Sequence, residues 1–410
     1  MGRHATAAPS SAWNLWRRLL AGFLALAAML TIAGIAMLWP HKDVVNIAED
    51  FATTSSLNQV QVGGKVVALV DGACANDAVG KVFRDSPMYT PATGEHSCQL
   101  ATVEITTGKD AGQRTLLSST GQPGEPVFAM DEKLRLGVLE NSDGSSTYTF
   151  ADYDRGLSLT VWGIVIALGI IVFAAWRGVR AIIGLVITLG FIAAFLLPAL
   201  LTGGHAVLLA VVTGSAILFV VVFIVHGFNW KSASALAGTL VALVIAAILT
   251  SVAISSTSLR GLGEEANLKI LLYLPEVSIS GLLLCGFIIG CLGVLNDVTI
   301  SQASTIKELY ELDPQATPLR LFIGAMKVGR DHISSMVYTL ALTYTGAFLP
   351  TLLLVSVAQR SVLQTLTSDV MATELLRSGI GALALTLAVP ISTLVAAVTV
   401  PDATQAKTPA

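Results

Sequence analysis

Runs of about 20 apolar residues recur along this chain, and short polar or glycine-containing segments separate them. A helix of that length crosses the ~30 Å hydrocarbon core of a bilayer at 1.5 Å per residue. The pattern predicts a mainly α-helical protein with eight membrane-spanning helices. Their approximate ranges are 19–39, 157–175, 181–201, 206–225, 233–254, 277–295, 334–357 and 379–400.

The first apolar run, residues 19–39, has two interpretations. A cleaved signal peptide has an apolar region of about 7–15 residues followed by a small-residue cleavage site. This run is longer and ends in the bulky sequence Met37-Leu38-Trp39-Pro40. We therefore favour an uncleaved first span, preceded by a cytoplasmic segment at residues 1–18.

Residues 40–156 have a different pattern, in which apolar and polar residues alternate over short stretches. Period-two alternation is typical of half-buried β-strands. Five strands are predicted, at residues 60–70, 99–106, 114–118, 133–139 and 146–150. We expect turns at Gly63-Gly64 and at residues 141–144. The prediction is a small all-β domain, a barrel or sandwich with an OB-like fold, between spans 1 and 2.

Composition agrees with a membrane protein, since 54% of the residues are hydrophobic and only 12% are charged. The net charge of -3 gives no basic footprint for nucleic acid. Lys and Arg near the span ends predict the orientation. One side carries Arg17, Arg18, Arg177, Arg180, Lys231, Lys307, Arg320, Lys327 and Arg330, and the other carries Arg260, Lys269, Arg360 and Arg377. Both termini, including the tail at 401–410, are predicted to be cytoplasmic and the β-domain extracytoplasmic.

The four cysteines form two pairs of different character. Cys74 and Cys98 lie in the polar domain, where the predicted orientation exposes them to an oxidising compartment. We expect a disulfide between them. Cys285 and Cys291 lie in an apolar span and are expected to be small buried side chains.

A polar string, residues 293–309, follows the sixth apolar run. If it is helical, one face carries Asp297, Ser301, Ser304, Thr305 and Glu308. That face would line a hydrated cavity. The alternative is that Asn296 or Asp297 only caps a cytoplasmic helix at the membrane surface.

A second helix is predicted to begin at Thr317-Pro318, as N-cap and first helical residue, and to run to about Val328. Its basic and apolar faces are typical of a helix lying on the inner leaflet, although a solvated loop is the alternative. Residues 296–331 are therefore predicted to form a cytoplasmic amphipathic segment within the seven-span region 157–400.

Asp331-His332 lies where the seventh span is predicted to begin. A carboxylate beside an imidazole can relay protons, but such a pair is more often an interfacial anchor. The sequence has no zinc-type spacing of Cys and His, no P-loop, and no GxSxG, HExxH or strand-associated GxGxxG motif. We expect no metal, no cofactor and no enzymatic activity.

Three strings carry a resemblance to a known family: GVLNDVTISQASTIKEL (residues 293–309), GRDHISSMVYTLALTYTGAFLP (329–350) and TYTFADYDRG (147–156). With them the chain resembles the YibE/F family of bacterial multi-pass membrane proteins. The resemblance implies a plasma-membrane protein with one span, an external domain and a helical bundle. Its recurrent polar residues match Asn296, Asp297, Ser301, Gln302, Ser304, Arg330, Asp331 and His332, without an implied catalytic role.

Two functions remain open at the level of sequence. One is a secondary transporter or permease of unknown substrate, with the eight matched polar residues as its translocation site. The other is a non-transporting envelope scaffold or sensor that acts through the external β-domain. The expected partners are the lipid bilayer and either a substrate or an envelope protein, and the oligomeric state stays open.

Overall fold

The computed structural model describes residues 11–40, 47–48, 51, 55, 58–87, 89, 97–141 and 144–400. The chain divides into two compact units. One comprises residues 48–170 and contains the β-strands. The other comprises residues 1–47 and 171–410 and is helical.

The β-unit is built on one antiparallel sheet of six strands in the order β2-β4-β3-β1-β5-β6. Gly80, just before β2, donates its N–H to Leu116 of β4 and accepts from the N–H of Tyr148 in β6, so the sheet curls. The strands are β1 Val60–Ala73, β2 Val82–Phe83, β3 Ser97–Ile105, β4 Arg114–Ser119, β5 Lys133–Glu140 and β6 Ser146–Tyr153.

All five predicted strands are present, and β2 is an additional strand of two residues. The turn expected at Gly63-Gly64 is wrong, because both glycines lie inside β1. A Cβ on Gly64 would lie 2.7 Å from Val103 and 2.9 Å from Leu136. These glycines therefore let β1 pack closely between its neighbours. The segment at 141–144 does lie between β5 and β6, and Gly144 has a φ of 79°.

The β-unit has its own apolar core, in which Val66, Val103, Ile105 and Leu134 are fully buried. Cys74 and Cys98 are joined by a disulfide with Cα atoms 5.0 Å apart. Burial and a hydrogen bond to Asp110 raise the pKa of Tyr148 to about 12. This phenol therefore stays protonated and donates to the Asp110 carboxylate at 2.7 Å.

Six helices in the described part of the chain are long and apolar enough to cross a membrane, or seven if one bent pair forms a single span. The α-helices are α1 Ser11–Leu38, α2 Gly156–Phe191, α3 Leu197–Leu201, α4 Ala206–His226, α5 Trp230–Thr257, α6 Glu265–Tyr273, α7 Ile279–Leu312, α8 Pro318–Ala347, α9 Leu349–Ser356, α10 Val362–Leu366 and α11 Asp369–Thr399. A π-helical turn, Ile192–Leu196, joins α2 to α3.

These helices differ in two places from the eight predicted spans. The two spans expected at 157–175 and 181–201 form one continuous stretch, Gly156–Leu201, interrupted only by the non-helical backbone of Ala175. The span expected at 334–357 is the bent pair α8 and α9, which meet at 68°. Hydropathy alone did not reveal either feature.

Helices α5, α7, α8 and α11 pack together at the centre of the helical unit. The backbones of α5 and α11 approach closely at Gly238, where a Cβ would lie 2.9 Å from the Cα of Ser392. Fully buried side chains, among them Leu236, Leu243 and Ile288, belong to the apolar core of this unit. The polar residues of interest are therefore held on long, closely packed helices.

The amphipathic segment predicted at 296–331 is not a separate pair of surface helices. Residues up to 312 continue α7 without a break, and the helix predicted to end near Val328 runs on to Ala347. The predicted start is correct, since the Thr317 hydroxyl accepts from the N–H of Arg320 and Pro318 is the first helical residue. No proline lies inside α7 to end it before Pro314.

Candidate functional site

One face of α7 is packed against α5 and α11 and carries buried polar side chains with partners. The hydroxyls of Thr299 and Thr239 are 2.5 Å apart. Gln302 accepts a hydrogen bond from the Thr393 hydroxyl at 2.9 Å. All four side chains are 0% exposed. These contacts link three helices inside the bundle.

Gln302 also lies against the backbone of α8. A Cβ on Gly329 would lie 3.0 Å from the Gln302 Nε2 atom and 2.8 Å from Val389. The absence of a side chain at Gly329 is therefore what lets α8 approach α7 and α11. The Gln302 Nε2 group is buried without a hydrogen-bond partner, which carries an energetic cost.

The other face of α7, here called the open face, carries residues three or four positions apart, so they form one stripe along the helix. Its members are Gly286, Gly290, Gly293, Asp297, Ser301 and Ser304. No atom lies within 4 Å of a Cβ built on Gly286 or Gly293. At Gly290 the nearest atom is the Tyr344 hydroxyl, at 2.7 Å. The stripe is therefore unobstructed at Gly286 and Gly293, whereas Tyr344 of α8 covers it at Gly290.

Asp297 lies near the middle of the 34-residue helix α7. Cys285 donates through Sγ to the carbonyl of Ala206, the first residue of α4, at 3.0 Å. Asp297 is 12 residues further along α7, or about 18 Å. Helix α4 runs beside it for 21 residues, or about 31 Å. The Asp297 side chain is exposed and forms no ion pair among the described residues.

His332 connects α8 to the open face, because its Nδ1 lies 3.1 Å from the Ser301 hydroxyl. Asp331 and Arg330 are exposed and do not join this contact. Asn296 is half-buried, and its Oδ1 has no hydrogen-bond partner. Ser304 is half-buried on the open face. The eight predicted residues thus divide among the open face, the packed face and the outer surface of α8.

The capping role considered for Asn296 or Asp297 is excluded, because both lie in the middle of a helix of 34 residues. The cap of this helix is Ser278, whose hydroxyl accepts from the N–H of Gly281 at 3.2 Å. A carboxylate in mid-helix satisfies no orphan amide. Asp297 therefore has no evident role in starting or ending the helix.

A family model described as YibE/F-like protein matches residues 162–402. That range is more than half of the chain and contains the two polar strings at 293–309 and 329–350. The chain belongs to the YibE/F-like family. Neither a curated protein nor a solved structure matches it.

The match in this YibE/F-like protein begins inside α2 and covers α3 to α11. It therefore contains the open face, the packed face and His332. The third string of the sequence resemblance, residues 147–156, and the whole six-stranded sheet precede the matched range. The family is thus defined here by the membrane helices.

Several residues of this YibE/F-like site were not predicted. They are Thr239, Thr299, Gly329, Tyr344 and Thr393. Single hydroxyls and glycines inside apolar helices are common, and no motif singles these out. No group of three or more His, Cys, Asp and Glu suited to a metal ion occurs within the described ranges.

Proposed function

We propose that this YibE/F-like protein is a permease of the bacterial plasma membrane that carries a small solute or ion along the open face of α7. The observation that supports this most strongly is Asp297, a carboxylate in the middle of α7 that forms no ion pair among the described residues and lies on a glycine-rich face. A carboxylate at the centre of a membrane-spanning helix costs roughly 2.5–3.5 kcal/mol on insertion scales. Ionisable groups retained in spans commonly mark ion or substrate pathways.

The glycines explain how Asp297 can be accommodated. Side chains are missing on the stripe at Gly286 and Gly293, so water and a solute have room beside the helix. The Ser301 hydroxyl and His332 add hydrogen-bonding groups one turn further along. We infer that the open face is hydrated and that Asp297 interacts with a cation, a proton or a cationic group of the solute.

The proposal includes the eight spans predicted from sequence. The six qualifying helices become eight when the bent pair α8 and α9 counts as one and the stretch Gly156–Leu201 counts as two. Its 46 residues would measure about 69 Å as a single helix, more than twice a ~30 Å hydrocarbon core. The positive φ of 47° at Ala175 favours a division there.

We further propose that both termini are cytoplasmic. The Arg17 Nε donates to the carbonyl of Thr399 at 3.0 Å, so the start of α1 meets the end of α11. An even number of spans places both termini on the same side of the membrane. The excess of Lys and Arg near these ends supports the cytoplasmic side, and the β-unit then lies outside.

A hydrolytic role is less well supported. The Ser301–His332 hydrogen bond has the form of a nucleophile and its base. However, no carboxylate is bonded to the imidazole of His332 in the described part of the chain, so the third group that would orient the base is missing. We therefore propose transport without covalent chemistry.

The experiment compares ion and metabolite accumulation in cells with and without the protein, and then follows uptake of the compound that differs. Asp297→Asn should abolish the difference while the amount of protein in the membrane is unchanged. Glu308→Gln is the control, because Glu308 lies on the same side of α7 but 11 residues further, about 16 Å, past the end of α4. Full uptake by Asp297→Asn would overturn the proposal.

Deletion of residues 41–156 separates transport from the envelope scaffold or sensor. A permease built on the matched helices should retain part of its uptake after this deletion. Complete loss, with the truncated protein still in the membrane and Asp297→Asn fully active, would instead favour the β-unit as the working part.

A further inference from the structure

A second candidate site lies at the end of the helical unit where α4, α7 and α11 end and α5 begins. It is a cavity of about 690 Å³, within the range of small-ligand sites. Its lining includes the basic residues Lys231 and Lys307 and the aromatic residues Phe223, Phe228, Trp230 and Tyr310. None of these residues belongs to the open face of α7.

The cavity carries an excess of positive charge. Lys307 is paired with Glu311, at 3.4 Å, and both also contribute to the wall. Lys231 has no ion-pair partner within the described residues, although Glu308 acts on it at longer range. The like charges of Lys307 and Arg177 also act on Lys231. An anion bound between the two lysines would relieve this repulsion.

The position of Lys231 adds to the imbalance. It is the second residue of α5, where the helix dipole is positive and a cation is disfavoured. Such a lysine is costly unless negative charge is present nearby. Both the helix start and the two ammonium groups therefore favour an anion in the same cavity.

The aromatic wall indicates that the anion carries an apolar part. Phe223 and Phe228 are stacked with their ring centroids 4.5 Å apart, yet Phe228 remains 87% exposed. Arg17 lies over the Trp230 ring at 4.9 Å. Aromatic side chains of this kind are enriched where hydrocarbon meets water.

We propose that this cavity binds a phosphate ester, with the phosphate between Lys231 and Lys307 and an apolar or neutral portion against the aromatic rings. Two sources share that chemistry: the headgroup of an anionic phospholipid and a free organic phosphate. The site is separate from the proposed transport pathway, so Asp297→Asn should leave binding unchanged.

The test measures binding to the purified full-length protein in detergent. Native mass spectrometry with added phosphatidylglycerol or phosphatidylcholine addresses the lipid, and calorimetry with glycerol 1-phosphate addresses the free ester. The double variant Lys231→Gln/Lys307→Gln should bind at least about tenfold more weakly. Lys327→Gln, which removes an exposed lysine of α8 outside the cavity, should bind as the wild type does.

Selective binding of phosphatidylglycerol that the double variant loses supports a lipid. If only glycerol 1-phosphate binds and the double variant loses this binding, the ligand is a free ester. Lys231→Arg/Lys307→Arg keeps both charges and should restore binding, which separates a charge effect from misfolding. Equal binding by wild type and double variant, binding by the wild type that does not weaken with salt, or no binding of either probe would overturn the proposal.

Discussion

The two faces of α7 deal with polar side chains in opposite ways. On the packed face, Thr299 and Gln302 are buried and are hydrogen-bonded to Thr239 and Thr393 on neighbouring helices. On the open face, Asp297 is exposed and has no ion pair within the described residues, and glycines replace side chains around it. The same helix therefore contains polar groups that are hydrogen-bonded to neighbouring helices and, among the described residues, a carboxylate without an ion pair.

This difference separates structure from function among residues that hydropathy treats alike. Interhelical hydrogen bonds in membranes contribute modestly to stability, about 0.6 kcal/mol on average. The hydrogen bonds of the packed face stabilise the helical unit in this way. A carboxylate without an ion pair among the described residues contributes no such bond, and under the proposed function it would instead interact with the solute. Substitutions on the packed face should therefore change the free energy of unfolding, whereas substitutions on the open face should change uptake.

The largest loss of stability is expected where α8 lies against the packed face. Gly329→Ala places a methyl group 2.8 Å from Val389 and 3.0 Å from Gln302. Overpacking of this kind costs about 1–3 kcal/mol. The free energy of unfolding in detergent should fall accordingly. Gly346→Ala is the control on the same helix, because no atom lies within 4 Å of its Cβ. Equal effects of both changes would contradict the close approach.

The second-largest loss of stability is expected when the Gln302–Thr393 hydrogen bond is removed. Thr393→Val keeps the shape but leaves the Gln302 carbonyl oxygen without its donor, which should cost about 1–2 kcal/mol. Gln302→Met combined with Thr393→Val should restore most of that stability, because both partners and the unpaired Nε2 group are then gone. If the stability losses of the two single variants simply add in the double variant, the unpaired Gln302 carbonyl oxygen is not the cause of the loss in Thr393→Val.

Sequence was sufficient where local rules decide the structure. Period-two alternation located β1, β3, β4, β5 and β6, and the Thr317-Pro318 pair located the start of α8. The 3.6-residue period also predicted that Asp297, Ser301 and Ser304 share a face, and they do. These features depend on neighbours within one or two turns of the chain.

Sequence failed where hydropathy and backbone structure diverge. The apolar run ends near Leu295, but no proline or capping signal ends the helix there, and α7 continues to Leu312. Gly63-Gly64 has the composition of a turn and yet serves close packing within β1. The Gln302–Thr393 contact joins residues 91 positions apart. A single sequence contains no signal for such a pair.

A smaller effect is expected for Thr299→Val. The Thr239 hydroxyl donates its hydrogen to the carbonyl of Ala235, at 2.8 Å, so it keeps this partner when Thr299 is replaced. The expected loss is therefore only the interhelical bond, about 0.6 kcal/mol, measured by the same unfolding assay. If Thr299→Val lowers the free energy of unfolding as much as Thr393→Val does, the partner that Thr239 keeps does not reduce the loss of stability.

The smallest change in stability is expected on the open face, for Gly293→Ala. No atom lies near the added methyl group, and alanine favours a helix over glycine by up to about 1 kcal/mol. The free energy of unfolding should stay unchanged or rise, whereas uptake should fall if the proposed path runs beside Asp297, because the methyl group would narrow it. Gly379→Ala in α11, which is equally unobstructed, is the control and should leave uptake intact. If Gly293→Ala lowers stability and spares uptake, the open face is a packing surface, and the distinction between the two faces of α7 is lost.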